Sequence, residues 1–281
     1  MFENYLKTAL LLGLLSGLMI FIGFLLGGTF GLIIGLTIAI GINFFSYWYS
    51  DKIVLKMYKA KEFDKSKMPE IYEIVSDISK KAKIPMPKVY IVNNNTPNAF
   101  ATGRNPKKGV VALTTGILNI LNKEELKGVI AHEISHIKNR DVLVASIAAT
   151  IAAVISFVAS MAQWAAIFGG FDSDDGPNFI QILALAIIAP IAAVILQMGI
   201  SRSREFLADN YAAKILKDSK GLSSALLKLK NGVKQKPFRN ENHAGASLFI
   251  VNPFNAKGLV NLFSTHPSVE ARVERLNKIK F

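Results

Sequence analysis

Long uncharged runs constrain the fold of this chain more than any other feature of its sequence. No charged residue occurs from Thr8 to Ser50, from Val142 to Phe171 or from Gly176 to Ile200. A helix that crosses a bilayer needs about 20 apolar residues, so the first run is long enough for two helices and each later run for one. The stretch Gly27-Gly28-Thr29 predicts a tight turn within the first run. We therefore predict four membrane-spanning helices arranged as two hairpins.

Two other interpretations of these runs fit less well. A secretory signal peptide would have one shorter apolar region and a small-residue cleavage site. Buried helices of a soluble core rarely need uncharged runs of this length, and a hydrophobic content of 51% with a mean hydropathy of +0.34 also favours a membrane protein. Pro190 lies inside the last run, where membrane helices tolerate a kink.

The distribution of basic residues predicts an orientation in the membrane. Of the 33 Lys and Arg residues, 1 precedes the first run, 17 lie in residues 51–141 and 15 in residues 201–281. The turn between the last two runs, residues 172–175, reads DSDD. Because loops on the cytoplasmic side are enriched in Lys and Arg, both polar segments and the amino terminus are predicted to face the cytoplasm.

The net charge of +13 does not require a nucleic-acid partner. Basic segments next to membrane helices are attracted to anionic lipid headgroups, and the lipid bilayer accounts for the excess more simply. The absence of cysteine is compatible with a reducing compartment. No feature of the sequence indicates an oligomeric state.

Four segments follow from these patterns. We predict a membrane hairpin in residues 1–50, the first part of a cytoplasmic domain in 51–141, a second hairpin in 142–200 and the rest of the domain in 201–281. Neither polar segment looks complete alone, so we expect the two to fold together.

Hydrophobic periodicity in the first polar segment predicts both helices and strands. Apolar residues recur at helical spacing in Pro69 to Ala82. β-Branched and aromatic residues between turn signals predict strands at Pro87–Val92, Ala99–Thr102 and Gly109–Thr114. Asn122 is a candidate N-cap for a helix through Arg140. The predicted fold class is therefore a mostly α membrane protein of the α+β type, with a small β-sheet in its cytoplasmic domain.

The segment VIAHEISHI on that last helix carries the strongest chemical signal. Residues four apart lie one turn above each other, so His132 and His136 can offer two imidazole nitrogens to one zinc ion. Glu133 lies between them, where a carboxylate can take a proton from an attacking water and pass it to a leaving amine. The alternative is a helix whose two histidines are merely polar surface or packed core residues.

A catalytic zinc site needs a third protein ligand. The chain lacks cysteine, so the two other histidines and several carboxylates compete for this role. Glu205 and Asp209 share one helix face in SRSREFLADNYA, and Glu205 can complete the site while Asp209 accepts the second N–H of a ligating histidine. The alternative is a membrane-exit helix on which these acids form solvated ion pairs with neighbouring arginines.

Several motifs together resemble the HtpX family of membrane zinc endopeptidases, relatives of the CAAX prenyl proteases. The motifs are AHEISHIKNRD, SRSREFLADNYAAKIL, ALLKLK, SLFIVNP and STHPSVEARVERL, and the likeness runs from about Asn43 to Leu276. The resemblance implies one zinc ion per chain and an active site facing the cytoplasm. It also implies quality-control cleavage of misfolded or damaged membrane proteins, so the expected partners are unfolded polypeptide substrates.

The resemblance also assigns residues. It implies His132, His136 and Glu205 as zinc ligands, Glu133 as the catalytic base and Asp209 as the residue that supports a ligating histidine.

His266 precedes Pro267, which is predicted to open the last helix at its first position. Matching family positions imply that His266 approaches the zinc site and helps to stabilise the oxyanion. The alternative is a residue that only orders the helix start. Arg272, further along the same helix, carries the same two interpretations, and His243 is assigned no role.

Two segments before the motif helix are candidates for substrate binding. In zincins a strand edge above the metal holds the substrate as an added antiparallel strand, and residues 98–103 and 109–113 both qualify. The alternative is that both are core strands without a role in substrate binding.

Other functions were weighed against the endopeptidase. A CAAX-processing protease is disfavoured because four spans are too few for a large membrane chamber. A non-catalytic metal-binding membrane scaffold would not need Glu133. A transporter would carry ionisable residues inside its spans, and the runs contain none.

Overall fold

The computed structural model describes residues 2–66, 68–145, 148, 151–152, 155–156, 159–160, 179–235, 250 and 266–281. Two features of the sequence, the acidic turn at residues 172–175 and His243, lie outside these residues. Within them the protein is mostly helical and carries one small mixed sheet. The helices are α1 (Phe2–Met57), α2 (Pro69–Ala82), α3 (Thr115–Ile120), α4 (Lys123–Lys138), α5 (Phe179–Leu216), α6 (Lys220–Gln235) and α7 (Val269–Asn277). The strands are β1 (Lys61–Glu62), β2 (Lys88–Val92), β3 (Ala99–Thr102) and β4 (Val110–Thr114).

Two compact units divide the described chain. One contains Trp48–Val144 and Arg202–Phe281, and the other contains Phe2–Tyr47 and Ala145–Ser201. The sheet and helices α2, α3, α4, α6 and α7 all belong to the first unit.

The long helix α1 is broken at Gly28, which has φ 55° and ψ −146°. A positive φ is strained for a residue with a side chain but not for glycine, so glycine permits the break. The break lies within the Gly27-Gly28-Thr29 stretch where the sequence predicted a turn.

Within the described residues, Ala186–Leu216 is the one helical segment long and apolar enough to cross a membrane. Pro190 lies inside this helix, as expected. The described residues between 141 and 160 are helical as well. The other three predicted spans are not confirmed by the test of length and apolarity and stay predictions.

The sheet has the strand order β1-β2-β4-β3. Strand β2 pairs with β4 in parallel, whereas β1 and β3 are antiparallel to their neighbours. The strand at Ala99–Thr102 was predicted with its observed bounds, and the other two predicted strands each begin one residue later than expected. In the strand order given above, β3 forms an edge of the sheet and β4 lies inside it.

Helix α4 runs through the centre of the first unit. The Asn122 side chain accepts a hydrogen bond from the Glu125 N–H, and the Glu125 carboxylate accepts one from the Asn122 N–H, which completes a capping box. A Cβ at Gly128 would lie 2.6 Å from the backbone nitrogen of Leu222, so glycine permits the close approach of α6. The apolar residues Val129, Ile130, Ile134 and Ile137 of this helix are all buried.

Two helix boundaries differ from the prediction. Helix α4 ends at Lys138 rather than Arg140, because Arg140 takes the left-handed conformation with φ 54°. The last helix begins at Val269 and not at Pro267. Ser268 is its N-cap, because its side chain accepts a hydrogen bond from the Ala271 N–H.

Candidate metal centre

Three side chains from two helices converge in the first unit. His132 and His136 come from α4 and Glu205 comes from α5. Nε2 of His132 lies 3.0 Å from Nε2 of His136 and 3.5 Å from Oε2 of Glu205. Nε2 of His136 lies 3.4 Å from Oε1 of Glu205. The three side chains thus present their donor atoms to one common point.

Each imidazole is held by its own aspartate through the opposite ring nitrogen. Nδ1 of His132 lies 3.0 Å from Oδ1 of Asp209, and Nδ1 of His136 lies 2.7 Å from Oδ2 of Asp141. A carboxylate accepts hydrogen bonds and does not donate them, so both Nδ1 atoms carry the ring proton in the neutral tautomer. Both Nε2 atoms are left with lone pairs that face each other.

Each of these aspartates is paired in turn with a buried arginine. Arg272 donates from Nε and Nη2 to the two oxygens of Asp209 at 2.8 and 2.6 Å. Arg204 donates from Nε to Oδ1 of Asp141 at 2.5 Å and also from Nη2 to the same oxygen. Each histidine is thus hydrogen-bonded to an aspartate that is paired with an arginine. We call the pair behind His132 the Asp209 support (Asp209 and Arg272) and the pair behind His136 the Asp141 support (Asp141 and Arg204).

Arg272 also contacts the third ligand candidate. Its Nη1 lies 3.2 Å from Oε2 of Glu205 and donates to the carbonyl oxygen of Ile250 at 2.8 Å. The contact with Glu205 is an ion pair, and Oε2 accepts no hydrogen bond although it is buried. A buried carboxylate oxygen without a hydrogen bond is costly, and a metal ion would satisfy it.

The electrostatics distinguish the two histidines. Burial and the nearby Arg272 act to lower the pKa of His132, but its contacts with Asp209 and Glu205 outweigh them and raise it to about 9. Burial and the charge of His132 lower the pKa of His136 to about 4. Two facing lone pairs at 3.0 Å repel unless a cation lies between them, so the pair of Nε2 atoms favours a bound cation.

The donor set fits a zinc ion. Bonds of about 2.0–2.1 Å to a tetrahedral ion place neighbouring ligand atoms about 3.3 Å apart. The two Nε2 atoms lie 3.0 Å apart, and they lie 3.5 and 3.4 Å from Oε2 and Oε1 of Glu205 respectively, distances close to that value. Two imidazoles and one carboxylate are also a known ligand set of catalytic zinc sites.

Glu133 lies next to the ligand candidates and is buried. Burial raises the pKa of its carboxyl group, an effect that the nearby histidines partly oppose. A raised pKa makes the carboxylate a better acceptor for a proton released at the site.

His266 was predicted to approach this site, and the structure places it there. Its Nδ1 lies 3.4 Å from Oε1 of Glu205. Arg272, which the sequence left with two interpretations, is buried and contacts both Glu205 and Asp209. The helix α7 that carries Arg272 packs through buried Val269 and Leu276 and through the partly buried Val273.

Sequence analysis missed Asp141 and Arg204. Asp141 stands five residues after His136, a spacing that would turn it away from the histidine on a continuous helix. The left-handed conformation of Arg140 returns Asp141 to the side of the helix that carries His136. The histidine motif does not predict that conformation. The available signal was the pair of charged residues, Arg140 and Asp141, that ends the motif helix.

Comparison with known proteins identifies the family. The family model described as peptidase family M48 matches residues 65–280, most of the chain. The chain belongs to peptidase family M48. It is a metalloprotease, and the site described above carries the histidine motif expected of one.

Curated relatives within this family cover nearly the whole chain. Proteins described as "Protease HtpX homolog" from Thermococcus kodakarensis and Pyrococcus furiosus are 50% and 51% identical to it, each over 98% of this chain and 96% of the relative. One from Desulfatibacillum aliphaticivorans is 52% identical over 97% of this chain and 89% of the relative. The HtpX resemblance drawn from the motifs is thereby confirmed.

Among solved structures, the crystal structure of S. mikatae Ste24p has a similar fold. Its TM-score to this chain is 0.55, with 20% sequence identity over 94% of this chain. The match spans 62% of the length of Ste24p. At this identity the M48 chain shares a fold with Ste24p, and nothing further is carried over.

Proposed function

We propose that this chain is a zinc-dependent endopeptidase built into a membrane, with His132, His136 and Glu205 as the zinc ligands. The observation that carries the proposal is the convergence of the three side chains. The two histidine Nε2 atoms lie 3.0 Å apart, and each lies 3.4 to 3.5 Å from one of the two carboxylate oxygens of Glu205. Zinc bound there supplies Lewis-acid chemistry, which polarises the scissile carbonyl and makes an attacking water more acidic.

Glu133 serves as the general base in this proposal. Its buried carboxylate takes the proton from the water that attacks the scissile carbonyl carbon. It then gives that proton to the amine nitrogen as the C–N bond breaks. The raised pKa of Glu133 supports both steps, because the group must hold the proton between them.

Asp209 and His266 assist without binding the ion. Asp209 accepts the Nδ1 proton of His132 and thereby fixes the orientation of that ligand. His266 lies close enough to Glu205 to border the reacting groups, and we propose that it donates a hydrogen bond to the developing oxyanion.

Strand β3 is the proposed substrate edge. Of the two candidate segments, residues 98–103 contain an edge strand, whereas residues 109–113 belong to the central strand β4. Strand β3 also packs against the motif helix α4. A polypeptide paired along the outer side of β3 would be held by main-chain hydrogen bonds, which select extended conformation over sequence.

The proposed location is the cytoplasmic face of the cell membrane. The three uncharged runs supply the four proposed spans, and the basic residues of the two polar segments supply the proposed orientation. Glu205 follows the last run by five residues on the same helix, α5, which supports a metal site near the bilayer surface. Substrates are then misfolded or damaged membrane proteins whose unfolded segments reach that surface.

One pair of proteins tests the chemistry. Purified wild type is expected to contain one zinc ion per chain and to cleave casein, with EDTA abolishing the cleavage and zinc restoring it. Glu133→Gln is expected to keep the zinc and lose the cleavage. Full activity in that variant would remove Glu133 as the base, and a wild type without zinc would remove the proposed function.

Membrane orientation has its own test, because the chain lacks cysteine. A single cysteine placed at exposed Lys80 is expected to react with a membrane-impermeant maleimide only after the cell membrane has been permeabilised. Labelling in intact cells would place the domain on the outer side and contradict the proposed orientation.

A further inference from the structure

Asp141 contacts His136 because one residue between them, Arg140, interrupts the helix with a left-handed conformation. Five residues along a helix correspond to a rotation of about 140° from the starting face. Arg140, with φ 54°, interrupts the helix, and the chain resumes helical structure at Asp141. Oδ2 of Asp141 then lies 2.7 Å from Nδ1 of His136.

The other oxygen of Asp141 is fixed by Arg204. Nε and Nη2 of Arg204 both donate to Oδ1 of Asp141. Nη2 also donates to the carbonyl oxygen of Asn139 at 2.8 Å. This last contact ties the same guanidinium to the carboxyl end of α4, the helix that carries His136, so the aspartate and the histidine are held relative to each other.

The position of the Asp141 support in the chain is also informative. Asp141 immediately precedes the uncharged run that begins at Val142, and Arg204 follows the run that ends at Ile200. Both side chains are nonetheless buried. A buried pair of charges is costly to desolvate and is weak evidence of added stability by itself, which raises the question of what it does.

We propose that Asp141, held by Arg204, is a positioning residue that fixes His136 with Nδ1 protonated and Nε2 directed at the metal ion. The inference rests on the proposed function, because it assumes that His136 binds the ion. The inference goes beyond the proposed function, because it makes the placement of His136 depend on two residues that lie next to the uncharged runs, Asp141 and Arg204. Asp209 performs the same service for His132 from within the domain.

A positioning role and a purely structural ion pair make different demands on residue 141. A structural pair needs opposite charges, or two apolar side chains of matching volume in their place. Positioning needs an oxygen at residue 141 that accepts the Nδ1 proton of His136. Two neutral double variants separate these demands, because neither leaves an unpaired charge in the interior.

The first variant, Asp141→Leu with Arg204→Met, removes the acceptor. The second, Asp141→Asn with Arg204→Gln, keeps an acceptor oxygen at residue 141. Zinc affinity of the full-length, chelator-treated proteins is measured by competition with a chromogenic chelator, and the unfolding temperature is measured in the same detergent. Asp77→Asn, on the exposed surface of α2, is the matched control.

We expect the Leu/Met variant to bind zinc about 10- to 100-fold more weakly than wild type, the usual loss when a residue supporting a metal ligand is removed. The Asn/Gln variant is expected to stay within about threefold of wild type, because its amide oxygen still accepts from His136. Equal affinity in the two variants overturns the proposal, whether both are weak or both are unchanged.

The unfolding temperature distinguishes a specific loss of zinc affinity from a loss that only reflects a destabilised fold. If the affinity of the Leu/Met variant falls only in parallel with its stability, and Asn/Gln falls with it, Asp141 and Arg204 are structural and the proposal fails. A wild type that binds no zinc, in contrast, contradicts the proposed function itself. The two failures are therefore distinguishable.

Discussion

His132 and His136 lie on one helix and face one point, yet the two histidines differ in exposure and their supports differ in the further contacts that they make. The His132 side chain is 1% exposed and that of His136 is 14% exposed. Arg272 of the Asp209 support contacts Asp209, Glu205 and the carbonyl oxygen of Ile250, whereas Arg204 of the Asp141 support contacts Asp141 and the carbonyl oxygen of Asn139. Asp209 and Arg204 both lie on α5, whereas Arg272 comes from α7 and Asp141 immediately precedes the second uncharged run.

The difference teaches that equal roles at the metal need not mean equal roles in the fold. The Asp209 support joins α5 and α7 to α4 and neutralises Glu205 as well, so it combines site geometry with domain packing. The Asp141 support closes one end of α4 and orients one imidazole. The variants below separate these contributions.

Removing Arg272 is expected to have the largest effect. Arg272→Ala leaves the buried carboxylates of Asp209 and Glu205 without their shared cation, which costs about 3–5 kcal/mol of unfolding free energy for a broken buried pair. Arg204→Ala leaves the buried carboxylate of Asp141 without this cation, and we expect its loss to be smaller because Arg272 neutralises two carboxylates. Chemical denaturation of both variants in detergent measures the difference, and equal losses would mean that the two supports do not differ as described.

Asp209→Asn is expected to reduce zinc affinity by roughly tenfold, at the lower end of the range for residues that support metal ligands. The amide oxygen can still accept from His132, but the negative charge that balances Arg272 is lost. Competition with a chelator measures the change. An affinity equal to that of wild type would show that the negative charge of Asp209 is not needed for zinc binding.

The pH dependence of zinc binding should reveal which histidine holds a proton. His132, with its pKa raised to about 9, must release a proton when the metal binds, whereas His136, with its pKa lowered to about 4, need not. Zinc affinity is therefore expected to rise about tenfold per pH unit between about pH 5 and 8, with one proton released.

Two ordinary histidines would instead give a slope near two below about pH 6 and a flat profile above about pH 7.5. The same shift has a stability consequence with a definite sign. Because the folded pKa of His132 is raised, its protonation stabilises the chelator-treated protein fully below about pH 6.5, and this contribution is lost as the pH rises through about 9.

The smallest effect is expected for a charge pair outside the site. Asp77 and Lys81 form an exposed ion pair one turn apart on α2, with a distance of 2.8 Å. Asp77→Ala is expected to change the unfolding free energy by less than about 0.5 kcal/mol and to leave zinc binding unaltered. A larger change would mean that burial is not what distinguishes the two supports from an exposed ion pair.

The parts of the fold and site that sequence could predict are those governed by local periodicity. Helix α2 and strand β3 have their predicted bounds, and His132 with His136, like Glu205 with Asp209, follows from one helical turn of spacing. Their convergence between α4 and α5 came from family resemblance, since spacing alone also allowed solvated ion pairs for the two acids.

The contacts that escaped prediction depend on single backbone conformations or on tertiary packing. The left-handed Arg140 decides that Asp141 meets His136, and the cap at Ser268 displaces the start of α7 from Pro267. The edge position of β3 depends on the order of strands, which periodicity does not encode. Arg272 stood at helical spacing from several polar residues, and only the packing of α7 selects Asp209 and Glu205 as its partners.

Zinc-edge X-ray absorption on wild type and Glu205→Ala tests the assignment of the ligands most directly. In wild type we expect a single zinc ion with two imidazole nitrogens and carboxylate oxygen at about 2.0–2.1 Å. In Glu205→Ala the carboxylate contribution should disappear and zinc occupancy should fall. An unchanged spectrum at full occupancy in that variant, or a wild-type zinc without imidazole ligands, would contradict a metal centre built from His132, His136 and Glu205.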